Sequence, residues 1–306
     1  MNATAECHHA FEHTAAFYEG VDDLVARTVP MIELAVADGD AVLVTLDQDK
    51  WAVLSSALGP TAEQVTHLTA DERYARPVVA LQVLDRFVRD GLAAGASQVW
   101  SIGELTLDGI VPPDEWLRYE VAATEVFRHL PTRLVCLYDV AAVADPVLDA
   151  ARDAHRTVDG APGPGRDVAP SAAAPLPLPT IDASPVAVIE PLHSVAAARR
   201  VMRAALEGVV DPDQVGDAEL VVSELASNAL RHGLLPVSLR VWVGPNMVEV
   251  EVADRGDGPD DRLAGLRLPT VEPGGLGLWI CGRVADRLLS GPTTRGWVAR
   301  ATFVRR

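Results

Sequence analysis

The chain has 306 residues, a length that predicts two domains, and its hydrophobic fraction of 49% is enough for two cores. A formal net charge of −17 argues against a nucleic-acid backbone or an anionic membrane surface as a direct partner. Its cysteines, Cys7, Cys136 and Cys281, are odd in number and far apart, so their spacing predicts neither a disulfide framework nor a zinc site. We see no secretion signal and no apolar run of about 18 residues, so a cytoplasmic location is expected.

In the first half, apolar segments alternate between the helical period and continuous runs of strand length. Helices are predicted over 21–37, 50–58, 77–94, 114–129 and from 139 through 153, and strands over 41–46, 65–69, 98–105 and 133–140. This alternation predicts an α/β domain with a mostly parallel sheet that helices cover on both faces. Leu46-Asp-Gln-Asp-Lys50 follows the first strand and lacks the glycines of a phosphate loop, so this half is not expected to bind nucleotide.

Local clusters in the first half resemble those of a known family. They are His13-Thr-Ala-Ala-Phe-Tyr18, Trp116-Leu-Arg-Tyr-Glu120, and Cys136-Leu-Tyr-Asp139 leading to Asp149-Ala-Ala-Arg-Asp-Ala-His155. With the order of elements, they resemble the MEDS domain, a sensory module named from methanogens, methylotrophs and a dichloromethane-responsive regulator. The resemblance covers residues 9–158 and implies that this half senses a small ligand or signal. Leu137 departs from the pattern, in which proline is expected after the cysteine.

Taken singly, the polar residues of these clusters have ordinary interpretations. Cys136, at a strand end, is interpreted as a small buried hydrophobe, with a redox-sensing thiol as the alternative. His13 is expected at a polar edge, Tyr18 in the core, and His155 on the surface of a helix.

The segment 160–179 is rich in proline, alanine and glycine. It cannot form a helix or a central strand, and its prolines favour an extended, semi-rigid spacer. We therefore expect a linker over 159–184 between a first domain at 9–158 and a second at 185–306.

The second half is organised around a helix predicted over 217–232, which Gly233 closes. Its apolar arc consists of Ala218, Val221, Val222, Leu225 and Ala229. Glu224 and Asn228 are one turn apart at the edge of this arc. A carboxylate and a carboxamide in this arrangement suit Mg²⁺ and the orientation of a hydroxyl or water, although taken alone they also fit a solvated helix edge.

The elements around this helix predict an α/β sandwich. An amphipathic helix is expected over 191–206, and Asp211 is expected to cap the central helix, with Pro212 in its first turn. Alternating segments at 237–243 and 248–252 predict a hairpin that turns at 244–246, and 297–303 supplies another strand. The sheet is expected to be mixed or antiparallel, with helices on one face.

Two glycine motifs follow the hairpin. Asp254-Arg-Gly-Asp-Gly258 places a carboxylate where it can accept a hydrogen bond from the exocyclic amine of adenine, and its glycines let the backbone approach the ring. Pro273-Gly-Gly-Leu-Gly-Leu278 precedes a short helix predicted over 279–286, whose N-terminal N–H groups suit phosphates. Each motif alone is a common structural turn, but their order after the central helix is hard to obtain by accident.

This order resembles that of the GHKL, or Bergerat-fold, ATPases. The segments 223–233 and 274–279 are similar specifically to the anti-sigma-factor serine kinases of that superfamily, and the likeness covers residues 185–306. It implies ATP and Mg²⁺ as cofactors and a lid over 259–273. Carried residue by residue, it implies Glu224 as the catalytic base, Asn228 as the Mg²⁺ ligand, Asp254 on the adenine with Gly256 and Gly258 beside it, and Gly275, Leu276, Gly277 and Leu278 at the phosphates.

The leading interpretation is a sensory regulator that phosphorylates a serine or threonine of an anti-anti-sigma-type partner and so controls a sigma factor by partner switching. The alternative is a nucleotide-gated anti-sigma binding module that sequesters a partner in the ATP state without phosphotransfer, while the first domain senses a small ligand. Kinases of this branch commonly pair, so the resemblance also suggests a homodimer. No phosphoacceptor histidine with a dimerising helix pair is evident, which argues against a histidine autokinase.

Overall fold

The computed structural model describes residues 11–105, 113–155, 157–163, 178, 180–261, 263–266 and 276–306. The chain divides into two compact units, Met1–Ala172 and Ala173–Arg306. Each unit is α/β and has a sheet of its own. No helix among the described residues is both long enough and apolar enough to cross a membrane.

Within the described residues, the first unit has a seven-stranded sheet in the order β3-β2-β4-β5-β1-β6-β7. Its strands are β1 (Glu12–Tyr18), β2 (Ala41–Thr45), β3 (Val65–Leu68), β4 (Val99–Glu104), β5 (Thr132–Asp139), β6 (Thr157–Val158) and β7 (Ala161–Pro162). Its helices are α1 (Gly20–Ala37), α2 (Gln48–Leu58), α3 (Ala70–Arg73), α4 (Pro77–Ala93), α5 (Pro113–Phe127) and α6 (Asp145–Ala154), with a 3-10 turn at Gly59–Gln64. All neighbouring strands are parallel except β6 and β7, which confirms a mostly parallel sheet.

Two apolar clusters hold helices against this sheet. On one side, Leu24 and Ile32 of α1 and Leu54 of α2 pack with buried strand residues of β1, β2 and β5. Another cluster joins strands β1 and β5 to α6 through Ala15, Phe17, Tyr138, Leu148 and Ala151. Strands that contribute to clusters of this kind must be apolar on both faces, which is why they read as continuous hydrophobic runs.

Strand β1 was not among the predicted elements, although it pairs with β5 on one side and β6 on the other. Tyr18 is buried, as expected. The expectations for His13 and His155 are wrong: His13 is 7% exposed and His155 is completely buried. Their burial follows from packing against residues that are distant in the chain.

The second unit has a five-stranded sheet in the order β11-β12-β10-β9-β8, and every pairing is antiparallel. Its strands are β8 (Ala187–Ile189), β9 (Ser238–Val243), β10 (Met247–Asp254), β11 (Arg287–Thr293) and β12 (Gly296–Val304). Its described helices are α7 (Val195–Leu206), α8 (Pro212–His232) and α9 (Leu276–Val284). The predicted hairpin is present, since the backbone N–H of Gly244 donates to the carbonyl of Met247 at 2.8 Å.

The core of the second unit lies between the helices and one face of this sheet. Val248, Val250 and Val252 of β10 are buried there, and alternation along the strand places Asp254 on the same side. On the other face the indole N–H of Trp242 donates to the carbonyl of Ala183 at 2.8 Å. The end of the predicted linker therefore packs on the second unit.

Candidate functional site

Helix α8 holds Glu224 and Asn228 side by side. The helix begins at Pro212, after Asp211, whose carboxylate accepts a hydrogen bond from the backbone N–H of Asp213 at 2.8 Å. Its core-facing side chains are buried: Ala218, Val221, Val222, Leu225, Ala226 and Ala229. Glu224 and Asn228 are half-buried at the edge of this face, one helical turn apart. The packing of α8 therefore fixes the direction in which both polar side chains project.

The first turn of α9 lies directly against this pair. A Cβ atom on Gly277 would be 2.8 Å from Oε2 of Glu224 and 3.0 Å from Nδ2 of Asn228, which is closer than ordinary van der Waals contact. With any other residue here, the ends of the Glu224 and Asn228 side chains would have to move aside. The predicted start of this helix is wrong, because α9 begins at Leu276 and takes Gly277 and Leu278 into its first turn. The N–H groups of that turn have no acceptor within the helix and carry its partial positive charge.

The donor set at this point fits a hard cation and phosphate. Carboxylate and carboxamide oxygens are the ligand types that Mg²⁺ takes in proteins, and N–H groups at a helix start bind phosphate oxygens. At Gly277 the two kinds of group are in close contact. Leu276 is exposed and Leu278 half-buried, whereas Gly275 lies outside the described residues.

Asp254, at the end of β10, lies beside the C-terminal end of α8. Its Oδ1 accepts hydrogen bonds from the backbone N–H groups of Gly256, at 2.7 Å, and Leu234, at 3.1 Å. Its carboxyl group also occupies the space that a side chain on Gly233 would need. In the part of the chain that the structure describes, the hydrogen bonds of Asp254 all use Oδ1. Oδ2 is therefore the carboxylate oxygen without a hydrogen bond among the described residues.

The two halves of the site are separated by part of α8. Gly233, which contacts Asp254, follows Glu224 by nine residues, or about 13 Å at 1.5 Å per residue. A span of this order is comparable to the length of an extended nucleoside triphosphate.

Glycine occupies positions 256 and 258, after Asp254, for two different structural reasons. A Cβ on Gly256 would be 2.8 Å from Oδ1 of Asp254, so glycine is required beside the carboxylate. Gly258 has a φ of +84°, and a side chain there would overlap the ring of Trp297 on β12. The backbone conformation and the packing of Trp297 therefore explain the glycine at position 258. Its predicted place beside the adenine stays a prediction.

Two family descriptions match the chain, one in each half. Residues 12–156 match the methanogen/methylotroph, DcmR sensory domain (MEDS), and residues 190–302 match the histidine kinase-like ATPase domain. The chain joins a MEDS domain to a histidine kinase-like ATPase domain. The second match supports ATP as the nucleotide of the C-terminal unit. The sequence has no match among curated proteins.

Similarity to solved structures is weak. The histidine kinase domain of the E. coli osmosensor EnvZ is 21% identical, with a TM-score of 0.25, over 42% of this chain and 93% of that one. A prototypical ATPase from the type III secretion system of pathogenic bacteria is 12% identical, with a TM-score of 0.28, over 72% of this chain and 65% of that one. TM-scores this low do not establish a shared fold.

Part of the predicted lid of the ATPase domain contacts α9. Leu263 and Leu266 are buried in a turn at 263–266. A Cβ on Gly265 would be 3.2 Å from Cβ of Leu278, so the turn lies on the first turn of α9. Residues 262 and 267–273 of the predicted lid lie outside the described part. A shift of the described turn would therefore change the packing of Leu278, which is next to Gly277.

Cys281 is a neighbour of the site that the sequence analysis did not assign. It lies one turn after Gly277, is fully buried, and its thiol donates to the carbonyl of Val221 at 3.6 Å. Burial raises the pKa of Cys281, and the negative charge of Glu224 raises it further. The spacing of four residues from Gly277 was the available signal, because it places both on one face of α9.

A groove of about 460 Å³ in the ATPase domain lies on the other face of the sheet. Three of its charged side chains pair with one another: Nη2 of Arg300 is 2.7 Å, and Nη1 of Arg240 3.3 Å, from the carboxylate of Glu251. At the α8–α9 site, by contrast, the oxygens of Glu224 and Asn228 lie against the first turn of a helix.

The loop after β2 of the MEDS domain differs from a phosphate-binding loop. The carboxylate of Asp47 caps α2 by accepting from the backbone N–H of Lys50 at 2.8 Å. Nζ of Lys50 forms an ion pair with Glu104 at 2.7 Å and donates to the hydroxyl of Tyr18 at 3.0 Å. An acidic side chain thus takes the place that a phosphate would occupy.

Proposed function

We propose that the ATPase domain binds Mg-ATP and transfers the γ-phosphoryl group to a serine or threonine of a partner protein. The observation that carries this proposal is the meeting of Glu224, Asn228 and Gly277 at the N-terminal end of α9. A base, a metal-type oxygen and phosphate-binding N–H groups are the parts that phosphoryl transfer requires in one place.

Each residue has a distinct role in this mechanism. Oδ1 of Asn228 would hold Mg²⁺, which when bound neutralises charge on the phosphate oxygens. The carboxylate of Glu224 accepts a hydrogen bond from the attacking hydroxyl and takes its proton. Backbone N–H groups of the first turn of α9 orient the phosphates, and Oδ2 of Asp254 accepts from the adenine amine. Positioning and electrostatic stabilisation thus supply most of the catalysis.

The proposed partner is an anti-anti-sigma-type protein, whose phosphorylation would control a sigma factor. The support is the similarity of 223–233 and 274–279 to the anti-sigma-factor serine kinases. The MEDS domain would supply a small-ligand signal to this kinase. In this proposal a homodimer is the working assembly, and nucleic acid and membrane are not direct partners.

One observation favours a second candidate, a nucleotide-gated binding module that transfers no phosphate. The first turn of α9 covers Oε2 of Glu224, the kind of atom that an attacking hydroxyl must reach. In that case nucleotide would move α9 to open or close a protein-binding surface, and Glu224 would be structural.

A pull-down with the full chain separates the two candidates. Bound proteins are recovered with and without Mg-ATP, incubated with γ-labelled ATP, and analysed by mass spectrometry for phosphoserine and phosphothreonine. Labelled serine or threonine on a partner, absent with the Glu224→Ala chain, supports the kinase. A partner that is retained or released with ATP but never labelled supports the binding module.

A further inference from the structure

Four side chains with metal-binding atoms meet inside the MEDS domain. His13 is on β1, Cys136 on the neighbouring β5, Glu120 on α5, and His155 directly after α6. One donor atom of each lies within 4.8 Å of those of the other three. His13, Glu120 and His155 are buried and Cys136 is partly buried. Polar side chains from two neighbouring strands and from the region of two helices therefore meet at one point inside the domain.

The distances in the cluster are close to those of a tetrahedral site. Nε2 of His13 is 2.9 Å from Oε2 of Glu120 and 3.3 Å from Sγ of Cys136. Oε2 of Glu120 is 3.4 Å from Sγ of Cys136 and 4.0 Å from Nε2 of His155. Ligands at about 2.0–2.3 Å from one tetrahedral ion are roughly 3.3–3.6 Å apart. Shifts of a few tenths of an ångström would bring the side chains to these separations.

Hydrogen bonds outside the cluster fix both imidazole rings. The hydroxyl of Thr124 donates to the carbonyl of Glu120 at 3.1 Å, so its oxygen accepts from Nδ1 of His13, 2.8 Å away. Nδ1 of His155 donates to the carbonyl of Ala151 at 2.7 Å. Both rings thus turn Nε2 toward the cluster. This is the outer-shell arrangement that orients metal-ligating histidines.

An ion pair between His13 and Glu120 accounts for only part of the cluster. Nε2 of His155 is buried and has no hydrogen-bond partner among the described residues. Its Nδ1 carries the proton that is donated to the carbonyl of Ala151, so Nε2 is the ring atom left to bind a ligand. This atom lies within 4.8 Å of the donor atoms of His13, Glu120 and Cys136, and a metal ion among them would satisfy it.

We propose that His13, Glu120, Cys136 and His155 bind a divalent transition-metal ion, with Zn²⁺ as the expected occupant. Two imidazoles, a thiolate and a carboxylate are ligands of borderline-soft metals, and the two negative charges neutralise the ion. Four protein ligands make a closed site, in which the metal links β1, β5, α5 and α6. This site is independent of the nucleotide site, and the spacing of the cysteines did not predict it because three of its four ligands are other residue types.

Metal content and cobalt spectroscopy of the full chain test this site. Purified protein equilibrated with Zn²⁺ and then desalted is expected to retain about one ion per chain. Cobalt-loaded protein is expected to show thiolate-to-Co²⁺ charge transfer together with the intense d–d absorption of tetrahedral coordination. Cys136→Ser should remove the charge-transfer band, and His155→Ala should weaken metal affinity by about 10-fold or more.

Matched controls separate this site from adventitious binding. Cys281→Ser and His129→Ala change a buried thiol in the other unit and an exposed imidazole in the same unit, and both variants should keep the ion and the cobalt spectrum. Should the cluster variants fail to fold, the wild-type spectrum decides by itself. A wild-type chain without bound metal after desalting, or a cobalt spectrum without a thiolate band, would overturn the proposal.

Discussion

Gly277 lies so close to Glu224 that a methyl group on it would be 2.8 Å from the carboxylate oxygen Oε2. Gly277→Ala is therefore expected to turn the ends of the Glu224 and Asn228 side chains aside, because these are the atoms nearest to the new methyl group. Overpacking typically costs about 1–3 kcal/mol, and ATP affinity should fall by roughly tenfold or more if Mg²⁺ and the phosphates bind there. Isothermal titration calorimetry with Mg-ATP measures the change.

Gly216→Ala is the matched control for this substitution. Gly216 is an exposed glycine inside α8, and a Cβ there would meet no atom within 4 Å. Alanine should stabilise the helix by about 0.5–1 kcal/mol and leave ATP affinity unchanged. Equal ATP affinity in both variants would remove Gly277 from the site.

Glu224→Ala should separate chemistry from binding. If Glu224 takes the proton of the attacking hydroxyl, its loss should lower phosphoryl transfer by about 10²–10⁴-fold, while ATP affinity stays close to that of the native chain. Glu219→Ala serves as the control, because Glu219 lies on the same helix but pairs with Arg203 at 2.6 Å, a largely exposed contact. Transfer of labelled γ-phosphate measures the chemical step, and calorimetry measures ATP affinity. Parallel loss of transfer and binding would contradict the role of Glu224 as base.

Asp254→Asn tests the adenine contact without removing the local structure. An asparagine can keep an oxygen at the position of Oδ1, which accepts from Gly256 and Leu234, and places an NH₂ group where Oδ2 was. Because an NH₂ donor would then face the adenine amine, the affinity for ATP should fall by about 1–3 kcal/mol, roughly 5- to 150-fold. The melting temperature should change little. Asp257→Asn, at an exposed position of the same loop, is expected to bind ATP normally. Unchanged calorimetry for Asp254→Asn would exclude Asp254 from the site.

The regular elements of this chain were largely predictable, because burial imposes a period on them. Helix α8, its cap at Asp211 and the hairpin of β9 and β10 follow directly from apolar spacing and turn residues. The elements that were missed are those with weak local signals. Strand β1 contains Thr14, Ala15 and Ala16, residues whose strand formation depends on their neighbours. Edge strand β11 includes Gly291 and Pro292, which interrupt a strand pattern.

The two sites differ in how far the sequence could predict them. The nucleotide motifs lie at the ends of recognisable elements, so Glu224, Asn228 and Asp254 could be chosen as candidates before their distances were known. The metal cluster could not be found in this way, since His13 and Cys136 are 123 residues apart and each residue has an ordinary interpretation alone. Only the pairing of β1 with β5 brings them together.

Cys281 reports whether α9 is packed on α8. Its thiol is buried beside Val221, and burial, with the charge of Glu224, raises its pKa. A raised pKa means that less thiolate is present at a given pH, so alkylation at pH 8 should be at least about 100-fold slower in the native chain than in the unfolded one. The pH at which alkylation of Cys281 reaches half its maximal rate should also be higher in the native chain than in the unfolded one.

The same thiol shows whether a substitution displaces α9. Gly277→Ala should turn only the ends of the Glu224 and Asn228 side chains aside, so the Cys281 peptide should stay about as protected from alkylation as in the native chain. Glu224→Ala removes only the smaller of the two causes, so the thiol should stay protected by burial. Peptide mass spectrometry after timed labelling measures each rate. If native Cys281 reacts as fast as in denaturant, α9 is not held against α8, and the arrangement of Glu224, Asn228 and Gly277 fails with it.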